Sequence, residues 1–117
     1  MLREAVGPTL LTTTVIGTVL QVTMVVAGHY TPSVARLFAV GGMLISLAVG
    51  LLYGYLAAQL PIGPAALGGL IAGGACALVG ILVSYVLRDV PAAVLAFGTV
   101  SSAVTGAVGA LVARAIV

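Results

Sequence analysis

Residues 62–87 hold no charged side chain, and at their centre every fourth position is small: Gly68, Ala72, Cys76, Gly80 and Ser84. As a helix, such a run is long enough to cross a hydrocarbon layer of ~30 Å. Leucine gains nothing by leaving lipid for protein, so apolarity alone does not bring helices together there. Small residues in register do, because they let backbones approach closely. The stretch is therefore expected to be a transmembrane helix with a packing groove along one side.

Composition extends this reading to the whole chain. Of the 117 residues, 62% are hydrophobic and 5% are charged, whereas a soluble domain has about a quarter of its residues charged. A water-facing surface cannot be built from these side chains. The expected class is an all-α integral membrane protein, one multi-pass domain of four transmembrane helices over 8–26, 32–56, 64–87 and 91–113. Val25 and Ala27 imitate a leader-peptide cleavage site, but the apolar region from Val6 is long. An uncleaved first helix is expected instead.

Pro8, Pro32, Pro64 and Pro91 stand at the starts of these spans. A helix tolerates proline in its first turn, where the missing N–H would have no partner anyway. Gly7, Thr31, Gly63 and Asp89 precede them as plausible caps. The two halves also echo each other. Gly7-Pro8 matches Gly63-Pro64, Pro32 and Phe38 match Pro91 and Phe97, and Ser46 matches Thr105. Ala48-Val49-Gly50 matches Ala107-Val108-Gly109 in the same register. The pattern suggests two tandem hairpins, parallel because each crosses an even number of times.

Two further ladders of small residues follow the first. They are Gly42, Ser46, Gly50, Gly54 in the second span and Gly98, Ser102, Gly106, Ala110 in the fourth. All three are read as helix-packing faces, directed either within the chain or at another subunit. The first span differs, with Thr14, Thr18 and Gln21 on one face. Gln21 is expected to bond a neighbouring helix while the threonines bond back to their own carbonyls. A polar path or ligand contact is the alternative.

The charges mostly complement helix dipoles: Glu4 and Asp89 before helices, Arg88 and Arg114 after them. Arg36 is the exception, a cation in the first turn of the second span. It either snorkels to lipid phosphate or meets an acidic partner. His29 lies at the membrane edge with no neighbouring acid in sequence, and reads as an interfacial hydrogen-bonding group. Tyr30 and Tyr85 at one edge, with Tyr53 and Tyr55 at the other, read as an aromatic belt. An even helix count places both termini on one side with Arg3 and Arg114, facing Arg36 and Arg88. The positive-inside rule is thus tied, which is compatible with dual insertion.

Several function classes are excluded by what the residues lack. Four basic side chains without clustering make no nucleic-acid footprint. Cys76 is the single cysteine, so no internal disulfide or thiolate metal site is available. No carboxylate lies inside a span to couple protons or sodium to transport. No catalytic constellation appears, and no enzymatic role is expected. The expected function is an accessory or structural subunit of a larger membrane complex, in contact with membrane lipids. It would pack through its small-residue faces and hold a lipid or a partner's cofactor. The alternative is a small homo-oligomeric channel or passive facilitator.

Overall fold

A computed structural model describes residues 2–116, with residues 2–6, 35 and 39 described by their backbone alone. The chain forms α1 (Leu2–Tyr30), α2 (Pro32–Ala35), α3 (Phe38–Leu56), α4 (Ile62–Val86) and α5 (Ala92–Ile116). Among the described residues there is no strand. Three helices are long and apolar enough to cross a membrane, by length and composition, and a shorter apolar helix spans Val40–Leu56. The bundle measures 43 Å along its longest axis, close to the ~40–45 Å of a bilayer with its headgroups.

The four long helices run up, down, up, down. Gly50 meets Gly106 and Gly54 meets Ala110, a constant offset that makes α3 and α5 parallel. Gly69 meets Gly106 and Ala110, Gly73 meets Ser102, and Gly98 meets Ile81, so α4 and α5 are antiparallel. Contacts are most extensive between α4 and α5, and next between α3 and α5. α1 and α5 occupy opposite corners, with α3 and α4 between them.

Most of the interior is small or polar, with Val25, Val49, Tyr53 and Leu60 as the larger buried side chains. Ala65, Ala72, Cys76, Ala77, Ala110 and Ala113 are buried with Thr13, Gln21, Ser46, Ser84 and Ser102. Outward point Leu11, Val15 and Val19 on α1, Val40 and Leu44 on α3, Leu67, Leu78 and Leu82 on α4, and Val100, Val104 and Val108 on α5. Bulky apolar side chains outside and glycine inside is the arrangement lipid favours, since only close backbone approach distinguishes protein from acyl chain.

The helix boundaries depart from the sequence reading in informative ways. α1 runs back past Pro8, which lies inside the helix, so Gly7 caps nothing. Leu2, Arg3, Glu4 and Ala5 are strong helix formers and carry the helix on. The roles read for Arg3 and Glu4 fall on side chains outside the described set. At α4 the cap is Pro61, and Gly63 and Pro64 lie within the first turn. The expected second helix is cut in two at Arg36 and Leu37, where the Leu37 N–H bonds the Val34 carbonyl at 2.9 Å. That i→i−3 bond tightens the chain into a turn. Arg36 consequently closes α2 rather than sitting in the first turn of a continuous helix.

The end of α4 shows how the last turn is set. Arg88 has φ 65°, the only non-glycine residue with positive φ among those described. The Asp89 N–H bonds the Ser84 carbonyl, and the Arg88 N–H bonds the Tyr85 carbonyl, both at 2.9 Å. This paired closure is a Schellman cap, in which the left-handed residue usually is glycine.

Candidate ligand-binding cavity

Two glycine rails on α4 determine where the helices touch and where they part. Gly68, Ala72, Cys76, Gly80 and Ser84 are all buried, facing α1 and α3. A methyl group added at Gly68 would overlap the Tyr53 ring, and one at Gly80 would lie 2.8 Å from Gln21 Cβ. Tyr53 therefore fills the slot that Gly68 leaves and is 0% exposed. It belongs to the core, and the expected belt at that end is reduced to Tyr55. The second rail, Gly69 and Gly73, meets the α5 backbone at Gly106. Reading α4 in one fourfold register missed it, although Gly69 and Gly73 are themselves four apart.

On α3 and α5, Gly50, Gly54, Gly106 and Ala110 make the close approach, with Ser46 and Ser102 also buried. Further toward their N-termini the two parallel helices carry Gly42, Met43 and Phe38 on α3 and Gly98 and Phe97 on α5. There they no longer touch, and a cavity of about 560 Å³ opens between them, bounded by α1 and α4 behind.

The walls are apolar: Met24, Phe38, Met43, Ile81, Val94 and Phe97. The polar lining consists of Gln21, Ser84, Ser101 and Ser102 within, and Arg36 and Asp89 at the bundle end. Met43, Phe97 and Ser101 line the cavity and are exposed, so it opens sideways between α3 and α5. From Val94 to Ser102 along α5 its depth is about 12 Å at 1.5 Å per helical residue.

The back wall is held by a short polar chain. Gln21 Nε2 donates to the Gly42 carbonyl at 3.1 Å and to Ser46 Oγ at 3.4 Å. Ser46 Oγ donates in turn to the Gly73 carbonyl at 3.4 Å, joining α1, α3 and α4. Thr14 and Thr18 are half-buried and do not enter this chain. Thr13 and Thr23 bond back to carbonyls of their own helix. Ser84 differs from all of these. It is 2% exposed and lines the cavity, yet its hydroxyl has no partner.

His29 also has a neighbour that sequence distance concealed. Its Nδ1 lies 2.8 Å from Asp89 Oδ2, tying the end of α1 to the α4–α5 turn. Asp89 therefore bonds a side chain across the bundle rather than capping α5, whose first residue is Ala92. The Tyr30 ring meets the imidazole edge-on at 5.0 Å.

Of the residues singled out as contacts, Gln21 and Arg36 reach the cavity, His29 reaches it through Asp89, and Thr14 and Thr18 do not. The sequence signal that could have located it is the repeat, which pairs Phe38 with Phe97, the two rings on its walls. Among the described residues no three His, Cys, Asp or Glu side chains come together. An apolar cavity with charged groups at one end offers an amphiphile both kinds of contact. In comparison with known proteins, the chain matches no family model, no curated protein and no solved structure.

Proposed function

We propose that the chain is a four-span integral membrane protein that serves as an accessory subunit of a larger membrane complex and holds a lipid-like molecule in its lateral cavity. Both termini would lie on one side of the membrane, and the two halves would be parallel hairpins. Two observations support the repeat: the equivalent residues Gly50 and Gly109 pack together, and Phe38 and Phe97 line one cavity.

One observation carries the functional reading. Three buried polar side chains, Gln21, Ser84 and Ser102, line one sideways-opening cavity, while the outside is an apolar coat suited to lipid or to neighbouring helices. The close glycine contacts at Gly50, Gly54, Gly69, Gly73 and Gly106 are made within the chain, so a partner would meet outward stripes such as Val100, Val104 and Val108 instead. No catalysis is assigned to the chain itself.

Extraction from the native membrane in mild detergent tests the proposal. Co-migration with larger partners supports it, and migration only as a small free species overturns it. The passive-facilitator reading needs Gln21 to meet a permeant, whereas its amide is bonded to Gly42 and Ser46. Flux in liposomes that changes on Gln21→Leu would reinstate that reading.

A further inference from the structure

We propose that the cavity between α3 and α5 is a binding site for one anionic phospholipid, its phosphate on Arg36 and one acyl chain inside. The inference rests on the membrane-embedded reading above and names the ligand class that the cavity takes.

Three features select this ligand. Arg36 lies at the bundle end, on the cavity rim and exposed, and makes no ion pair among the described residues. A guanidinium there matches a phosphate in a bidentate fork. Basic pockets between membrane helices recognise anionic headgroups by this chemistry. Asp89, the other charge on the rim, is engaged by His29.

Two residues inward from the end of α4 stands the unpartnered Ser84 hydroxyl. Buried polar groups are as a rule hydrogen-bonded, and an orphan donor calls for an acceptor. A phospholipid supplies one at this depth, the ester carbonyl that follows its phosphate. A plain hydrocarbon chain offers no acceptor, and a small phosphate ion reaches only the rim.

Around and beyond Ser84, Met24, Met43, Ile81, Val94 and Phe97 form the apolar wall that an acyl chain requires. The sideways opening between Met43 and Phe97 lets the second chain remain in the bilayer. Methionine pairs suit such a site, because their flexible thioethers fill around chains of varying shape.

Native mass spectrometry of the purified full chain, with phosphatidylglycerol or phosphatidylcholine added to the detergent, tests the assignment. Wild type should retain one phosphatidylglycerol in preference to phosphatidylcholine. Arg36→Gln should reduce that preference on the order of fivefold, as expected for one basic contact at a membrane surface. Arg114→Gln, at the opposite end of the bundle beside Ala58, should leave it unchanged. Ser101→Phe places a ring in the opening and should abolish retention of both lipids. Ser84→Ala, which removes only the hydroxyl, should weaken phosphatidylglycerol retention without altering thermal unfolding, and serves if Ser101→Phe fails to fold.

Equal retention of the two lipids by wild type would overturn the proposal. So would retention unaffected by Arg36→Gln and Ser84→Ala, or displacement of the lipid by inorganic phosphate alone. A free-running chain that still retains phosphatidylglycerol would remove the subunit reading and keep this one. Assembly into a complex without lipid selectivity would do the reverse.

Discussion

The two ends of the bundle are built from the same few residue types, yet one is sealed and the other is open. At the end bearing the 57–61 turn, Tyr53, Ala57, Leu60 and Ala65 form a buried cluster with Leu10 against it. Arg114 reaches from the last turn of α5 to the Ala58 carbonyl and clamps that turn to the bundle. At the opposite end α3 and α5 diverge around Phe38 and Phe97. The difference lies in where glycine meets glycine. Gly50, Gly69, Gly73, Gly106 and Gly109 converge near the middle and on the sealed side. Beyond them each helix carries a bulky ring, and the pair opens like a wedge. Glycine abundance therefore does not give tightness; glycine facing backbone does.

Substitutions at the glycine junction should break this contrast most severely. Gly106 faces Gly69 and Gly73 on α4, and its own carbonyl faces Gly50 on α3, so Gly106→Leu inserts a side chain where main chains already touch. Overpacking of this kind costs about 1–3 kcal/mol, and more where backbone is the obstacle. Loss of the folded band in a denaturing-detergent titration is the expected outcome, and a wild-type midpoint would refute the contact.

Next in size is the polar chain that closes the back of the open end. Gln21→Leu removes the amide that bonds Gly42 and Ser46. Interhelical hydrogen bonds in membranes contribute about 0.6 kcal/mol on average and up to ~1.7 kcal/mol. The same titration should show a shift within that span, accompanied by looser α1 docking in hydrogen exchange.

A smaller effect, of opposite sign, is expected at the turn beside the open end. Arg88 holds a left-handed backbone, which costs a residue with a Cβ about 1–2 kcal/mol. Arg88→Gly relieves this, while the greater freedom of an unfolded glycine offsets part of the gain. A net increase of up to ~1 kcal/mol in unfolding free energy is the prediction, and any decrease would contradict it.

The smallest change sharpens the comparison within one ladder. A methyl at Gly42 would meet Gln21 Oε1 at 3.5 Å, an ordinary contact. Gly42→Ala should therefore shift stability by no more than ~0.5 kcal/mol. Gly50→Ala, two rungs along the same helix, should be far worse because its methyl meets the Gly106 backbone. Equal tolerance of the pair would mean that the two ends do not differ as described.

The helical class was readable from charge-free apolar runs, because lipid leaves the backbone few alternatives. Small-residue spacing was visible too, but what each rung faces was not. Gly68 faces a tyrosine ring, Gly80 a glutamine stem and Gly106 bare backbone; composition alone makes these equivalent. Tyr53 and Tyr55 illustrate the same limit, since residues two apart on a helix point to nearly opposite sides. The cavity was the least legible feature. Its lining brings Gln21, Phe38, Ser84 and Phe97 together from four helices, a relation set by packing rather than by sequence proximity.

The way this interior is assembled has a calorimetric consequence. Water-soluble domains owe the curvature of their stability with temperature to apolar surface that unfolding exposes to water. A bundle that is apolar outside and joined inside by glycine backbones exposes little such surface when its helices separate within lipid. Its heat-capacity change on helix separation should accordingly be small, its stability nearly linear in temperature, and cold-induced dissociation absent.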